Sequence, residues 1–339
     1  MHISIFGYGV TTTPLVSFLN QQGHTLHIYD DKFTQAHNDD FGNTLLPSND
    51  FIPEHSDKEI LSPGIPPSHP LVCKAQHLIS EYDYFYRLLQ NDVNTHKKDM
   101  PFMIWISGTN GKTTTTEMTT LLLEPFNAQS GGNIGTPLAM LYTSNPKIWV
   151  LETSSFSLHY THDAYPKIYA LLPVKEDHIS WHGSFENYID DKLSPLKRMD
   201  SYTYAIIPSE FEHHNFIKDF KGTLISYKST QDLAQKCSIS LQDINFKEPF
   251  LLDAIIALSI AKLAFKADDI ARLNTFQIGA HRIAEFYDKF NRLWVDDSKG
   301  TNVDATIQAI ARYIHTHIII ILGGDDKGAN LTPLFEFMK

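Results

Sequence analysis

Three times along this chain a short apolar run meets a glycine- or hydroxyl-rich turn and then a stretch of helical character. The runs are "HISIFGYG" near the start, "PFMIWISGTNGK" from Pro101, and "NRLWVDDSKGTN" from Asn291. Strands and helices in that alternation bury their apolar faces when the strands lie side by side and the helices cover them. The expected class is α/β with parallel sheets. No repeat of solenoid length interrupts the pattern. With 339 residues, 42% of them hydrophobic, the chain can fill two or three cores.

Composition removes several classes. A net charge of −11 argues against nucleic acid, which is bound through basic patches that displace counterions. Two cysteines, Cys73 and Cys237, are too few for a disulfide framework and read as free, buried thiols in a reducing cytoplasm. The N-terminus has no basic region before its first glycine, unlike a signal peptide. The greasiest runs, "FLLDAIIALSIAKLAF" and "HIIIILGG", are broken before the ~20 residues that a span needs. A soluble protein with no membrane segment is expected.

The first segment, residues 1–95, reads as Rossmann-like. A strand meets Gly7 and Gly9, a helix runs from about Thr13 to Gln22, Gly23 ends it, and a second strand, "TLHIYDD", finishes at Asp30 and Asp31. The third glycine of a dinucleotide fingerprint is missing, with Thr12 in its place, so the NAD signal is weak. Asn91–Met100 reads as a linker. The second segment, 96–284, offers strands at "PFMIWIS", "KIWVLET" and "KIYALLPV" and a long apolar helix at "FLLDAIIALSIAKLAF". The third, 285–339, offers a strand, the helix "VDATIQAIARYI" and a second strand in "HIIIILGGDDKG". Two strands make a marginal sheet, so this domain is expected to be incomplete in the chain.

Chemistry concentrates in "ISGTNGKTTTTEM", Ile106–Met118. Gly108, Thr109, Asn110, Gly111, Lys112, Thr113 and Thr114 lie between an apolar strand and a helix, the setting in which backbone N–H groups and the helix dipole attract an anion. The common nucleotide loop places a glycine five residues before the second one, where Ile106 stands here. Lys112 would neutralise β- and γ-phosphates, and Thr113 would offer its hydroxyl to Mg²⁺. Glu152 ends a strand at the edge where open α/β sheets bind ligands, well placed for a metal. His178 follows Glu176 and Asp177 at another strand end, and neutral imidazole can join such a site. Lys192, in "YIDDKL", reads by itself as a solvent lysine.

Together these motifs resemble the Mur ligases, ATP-dependent enzymes of bacterial cell-wall precursor synthesis. "GTNGKTT" is similar to that family's shortened phosphate cradle. "GGNIGTPL", "LETSSF", "EDH", "YIDDKL", His281–Arg282, "DDSKGTN" and "GGDDKG" follow in the family's order across essentially the whole chain. The resemblance implies three α/β domains: a Rossmann-like one, a central ATPase-like parallel sheet and a Rossmann-like third, incomplete here. "ETSSF" and "GYGVTT" resemble the members that add D-glutamate to UDP-N-acetylmuramoyl-L-alanine. The carry-over then implies that Gly108 through Thr114, Arg282 and Asp297 meet ATP. Thr113, Glu152, His178 and a carbamylated Lys192 would serve two magnesium ions. Val10, Thr11, Asp31, Lys32 and Gly64 would surround the uridine diphosphate, with Asn133 and Ser154 facing the muramoyl part. Lys299, Thr301 and Lys327 would meet the acyl phosphate or the glutamate. The chain departs from the family at Ser157, where glutamine is usual, at Pro173, where asparagine is usual, and at Pro195. The adenine-facing helix motif stands as "PFLLD", Pro249–Asp253.

The implied chemistry is attack of a carboxylate on the γ-phosphate, then of an amine on the acyl phosphate, in a monomer. Positioning and charge neutralisation dominate such transfers. Other readings are a sister amide ligase of the folate-glutamate kind, a nucleotide-binding protein without turnover, and NAD-dependent reduction by the first domain.

Overall fold

The computed structural model describes residues 2–324 and 330–339. The first sheet contains β1 (Ile3–Phe6), β2 (Leu26–Tyr29), β3 (His37–Asn38), β4 (Thr44–Leu46), β5 (Lys58–Leu61) and β6 (Leu78–Ile79), in the order β3-β4-β2-β1-β5-β6. Only β3 runs antiparallel to its neighbour. All four residues of β1 are buried, as a central strand covered on both faces requires. Helices α1 (Thr12–Gln21), α2 (Pro70–Lys74) and α3 (Glu81–Asn94) accompany this sheet. Thr12 explains its place in the glycine turn. Its hydroxyl donates to the Gly7 carbonyl at 2.6 Å and accepts from the Gly9 N–H at 3.1 Å. The side chain clasps the turn that a third glycine would have left open.

The second sheet is parallel throughout: β7 (Phe102–Ser107), β8 (Ala128–Gly132), β9 (Ile148–Glu152), β10 (Ile168–Leu171), β11 (Tyr204–Pro208) and β12 (Thr223–Tyr227), ordered β12-β11-β10-β7-β9-β8. The chain leaves β7 for one edge and returns to build on its other side, so a crevice opens at the carboxyl ends of β7, β9 and β10. Its helices are α4 (Lys112–Leu123), α5 (Leu138–Ser144), α6 (Ser155–His159), α7 (Ile179–His182), α8 (Phe185–Leu193), α9 (Asn215–Lys218), α10 (Thr230–Lys236), α11 (Phe250–Phe265) and α12 (Ile270–Leu273). Apolar nearly all round, α11 is buried and packs along α4.

One hydrophobic cluster joins the two sheets. It runs from Ile3, Ile5 and Ile28 through Tyr82, Phe85, Tyr86 and Leu89 of α3 to Met103, Trp105, Trp149 and Tyr169 of the second sheet. A separate cluster lies between the second sheet's other face and α4 with α11.

Several expectations are corrected. The helix α3 continues to Asn94, so the linker is shorter than Asn91–Met100. The third segment does not open with a strand–helix–strand unit. β13 (Ala284–Tyr287) pairs antiparallel with β14 (Leu293–Asp296), and α13 (Val303–Ala311) and α14 (Thr332–Phe337) follow. The run at His317–Gly324 forms no strand among the described residues, and Ile319 and Ile321 are 86% and 82% exposed. Cys73 is exposed and Cys237 half-buried rather than buried; both are free. Cys73 rides on the five-residue α2, whose only buried residue is Leu71. No described helix is long and apolar enough to cross a membrane.

Candidate active site

The loop after β7 is shaped by two glycines with no room for a side chain. Gly108 has φ +146°, and a Cβ there would stand 2.6 Å from Cβ of Leu172. Gly111, at φ +82°, caps α4, and its Cβ would stand 2.3 Å from Oδ1 of Asp253. Thr109 anchors the loop between them. Its N–H donates to the Pro173 carbonyl at 3.2 Å, its hydroxyl accepts from the Lys175 N–H at 2.9 Å, and the Tyr188 hydroxyl lies at 3.0 Å. The first turn of α4 is thereby aimed along the sheet's carboxyl edge, where its N–H groups favour an anion.

Cations and oxygens gather around that loop. The Lys112 amine donates to the carbonyls of Gly108 and Thr109 at 3.0 and 2.8 Å. Burial pulls its pKa down, against the pull of Glu152 and Asp177. The Thr113 hydroxyl donates to Oε2 of Glu152 at 2.8 Å, and the Asn133 amide donates to Oε1 at 2.8 Å. Glu152 is buried at the end of β9. Arg282 donates to the Thr114 hydroxyl at 3.0 Å. Asp297 accepts from the Ile283 N–H at 3.0 Å, and burial raises its carboxyl.

Lys192 overturns its reading as a solvent lysine. It is 1% exposed, and its amine donates to the Gly108 carbonyl at 2.8 Å. Desolvation holds its pKa well below the ordinary lysine value, reinforced by the Lys112 charge and opposed by Asp177, Asp191 and Glu152. α8 carries it there because Tyr188, one turn earlier, packs into the site and meets Thr109. On the same helix Asp191 receives His182 at 2.7 Å and His159 at 2.9 Å. His178 sits in left-handed backbone against the Phe156 ring, its Nε2 3.6 Å from Asp177. Asp177 acts on both Lys112 and Lys192, which ties this turn to the same cleft.

The other expected residues are more dispersed. Val10 is 94% exposed on the turn after β1, with Thr11 beside it. Asp31 is met by His69 at 3.1 Å, and Lys32 reaches the Tyr8 carbonyl. The Gly64 carbonyl accepts from Trp181 at 3.2 Å. The Ser154 hydroxyl caps α6 through the Ser157 N–H at 3.0 Å. Lys299 and Thr301 are exposed ahead of α13, and Lys327 lies outside the described residues. Among the described residues no three His, Cys, Asp or Glu side chains converge as a metal cluster.

Residues 106–251 match the family model of the Mur ligase middle domain. Over its full length the chain is 50% identical to the UDP-N-acetylmuramoylalanine--D-glutamate ligase of Campylobacter jejuni (strain RM1221), covering 80% of that protein. It is 47% identical to the ligase of the same name from Helicobacter pylori (strain HPAG1), covering 81% of it.

The chain belongs to the Mur ligase family.

Solved Mur ligases share its fold at low identity. A UDP-N-acetylmuramoyl-L-alanyl-D-glutamate--2,6-diaminopimelate ligase superposes with a TM-score of 0.56 at 16% identity, over 88% of this chain and 69% of that one. The MurF ligase of Thermotoga maritima in complex with ADP gives 0.52 at 16% identity, over 86% and 72%.

Sequence reasoning missed several residues at this Mur-type cleft. Asn302 and Asp304 reach the loop from the third segment: the amide of Asn110, itself expected here, donates to Asn302 at 3.2 Å and to Asp304 at 3.1 Å, and the Asn302 amide donates back at 2.8 Å. His69 gave no signal beyond being one of 17 histidines. Asp253 lies beneath the loop, its Oδ1 accepting from Thr115 at 3.1 Å, and burial raises its carboxyl to about 8. An acid in the first turn of an otherwise apolar helix was the available clue.

Proposed function

We propose that this protein joins D-glutamate to UDP-N-acetylmuramoyl-L-alanine at the expense of ATP, forming an amide for peptidoglycan precursor synthesis. The observation that carries the reading is the chain-long 50% identity to ligases of that name. The cleft that gathers Lys112, Thr113, Glu152 and Lys192 around one loop supports it. In this reading residues 1–95 hold the uridine nucleotide, 96–284 hold ATP, and 285–339 belong to the domain that presents the amino acid. The protein works as a monomer in the cytoplasm, where its cosubstrate ATP is found.

The acceptor's alanine carboxylate attacks the γ-phosphorus, and the bond to ADP breaks, giving an acyl phosphate. The glutamate amine attacks that carbonyl carbon, phosphate departs, and the amine's proton leaves to solvent. No side chain acts as nucleophile; Lys112, Arg282 and the α4 N–H groups neutralise and orient the phosphates. Asp297 takes the ribose end of ATP, and Lys299 and Thr301 meet the acyl phosphate or glutamate.

The donor set fits a hard divalent cation. Glu152 and the Thr113 hydroxyl stand in contact at 2.8 Å, an all-oxygen pair of the kind that Mg²⁺ takes. Thr113, Glu152 and His178 would hold magnesium, which supplies charge neutralisation to the phosphates. Lys192 fits a carbamate because burial keeps its amine neutral enough to capture CO₂. The product carboxylate would serve the second ion.

The test is incubation of the protein with ATP, UDP-N-acetylmuramoyl-L-alanine and either D- or L-glutamate, with the product weighed by mass spectrometry. A product enlarged by one glutamyl residue, with D-glutamate only and matched by phosphate release, is expected. ATP consumption with a folate acceptor instead would select the sister-ligase reading.

A further inference from the structure

Two acids share the first turn of α3 and have opposite surroundings. Asp83 is buried and fully met, accepting from the N–H groups of His162, Asp163 and Ala164 at 2.8, 2.9 and 2.8 Å. That is what a structural acid looks like. Glu81 is half-buried as a residue, yet its Oε1 is closed to solvent and has no hydrogen-bond partner. Leaving such an oxygen bare costs stability, so its persistence asks for a ligand.

Glu81 lines a cleft of about 280 Å³ between the two sheets. One wall is the turn after β1, with Val10 and Thr11; the other is the loop after β8, with Gly132, Asn133 and Pro137. Asn133 leads directly to Glu152 and so to Thr113 of the phosphate loop. The cleft therefore spans from the glycine turn assigned to the diphosphate to the site assigned to phosphoryl transfer. The acceptor is anionic on either side of its sugar, at the diphosphate and at the alanine carboxylate, and those groups need cations. Its middle, the N-acetylmuramoyl sugar, is neutral and rich in polar hydrogens.

We propose that Glu81 accepts a hydrogen bond from the acceptor's sugar, from a hydroxyl or the acetamido N–H, and so helps select an N-acetylmuramoyl substrate. This rests on the ligase reading above. Burial alone raises the Glu81 carboxyl to about 8, so near neutral pH it is an uncharged acid that does not repel the substrate's anionic groups. A carboxylic acid still accepts through its carbonyl oxygen.

The experiment compares Glu81→Leu and Glu81→Gln with the wild type. It measures KM for UDP-N-acetylmuramoyl-L-alanine at saturating ATP, KM for ATP, and the melting midpoint of the ligand-free protein. Glu81→Leu should raise the acceptor KM roughly three- to tenfold and leave the ATP KM unchanged. Its ligand-free melting midpoint should equal or exceed the wild type's, because an unmet buried oxygen has been removed. Glu81→Gln keeps an accepting oxygen and should stay within about twofold. An unchanged acceptor KM in Glu81→Leu overturns the assignment while the ligase reading stands. So does a lowered melting midpoint with both KM values raised, which would mark Glu81 as structural. Wild-type protein that turns over no acceptor sinks the ligase reading and this role with it.

Discussion

The Lys192 amine lies 2.8 Å from the carbonyl oxygen of Gly108, sealed beneath the phosphate loop with the Tyr188 ring 4.6 Å away. Desolvation and the neighbouring Lys112 favour the neutral amine, and three carboxylates only partly offset them. A neutral amine is the form that adds to CO₂. Protein equilibrated with ¹³C-bicarbonate should show a carbamate carbon resonance that is missing in Lys192→Ala. The variant should bind ATP yet turn over at least ~10-fold more slowly, the low end of effects at groups supporting a metal. A wild-type spectrum without that resonance counts against the carbamate.

Lys112→Ala should lower acceptor-dependent phosphate release by roughly 10²-fold or more, the scale for losing a group that meets developing charge. Its amine is held by two loop carbonyls at 3.0 and 2.8 Å, so the side chain is already folded over the cradle. A coupled ADP assay reads the rate, and circular dichroism checks that α4 is kept. Normal turnover would refute the loop assignment.

Glu152 meets Thr113 and Asn133 through separate oxygens. Glu152→Gln preserves its size and removes the charge that a divalent ion would need. The magnesium concentration for half-maximal rate should rise by about 10-fold or more. Titration of activity against magnesium at fixed ATP checks this, and an unmoved midpoint would exclude Glu152 from the metal.

Asp253 makes stability depend on pH. Its folded carboxyl titrates near 8 and the unfolded one near 3.8, so between those values the folded state holds the extra proton. Stability from this group is therefore lost as pH rises through that window. Between pH 5 and 7, urea unfolding of Asp253→Asn should decline less steeply than the wild type by about 1.4 kcal/mol per pH unit. Parallel curves would show that Asp253 is ionised throughout.

What sequence could reveal here was local. The phosphate loop was legible because strand, turn and helix lie within a dozen consecutive residues and glycine has few other reasons to recur there. Glu152 was legible because its apolar run ends where a strand must end. Lys192 was legible only through the family resemblance, since its burial depends on α8 docking through Tyr188 onto Thr109, residues 79 positions apart. Glu81 escaped notice for the same reason: its cleft exists only where two sheets meet. The run at His317–Gly324 misled in the opposite direction, because β-propensity makes no strand until the run is paired and packed.

The apolar cluster that passes from β1 through α3 to β7, β9 and β10 ties the first two sheets together, apart from the cleft that Glu81 lines. They share one core, and a calorimeter should find them melting in one step. The third segment meets them at the phosphate loop through polar contacts, Asn302 and Asp304 with Asn110. Heating should therefore loosen the hooked-on segment, held by a few polar bonds, before the sheets that share a core.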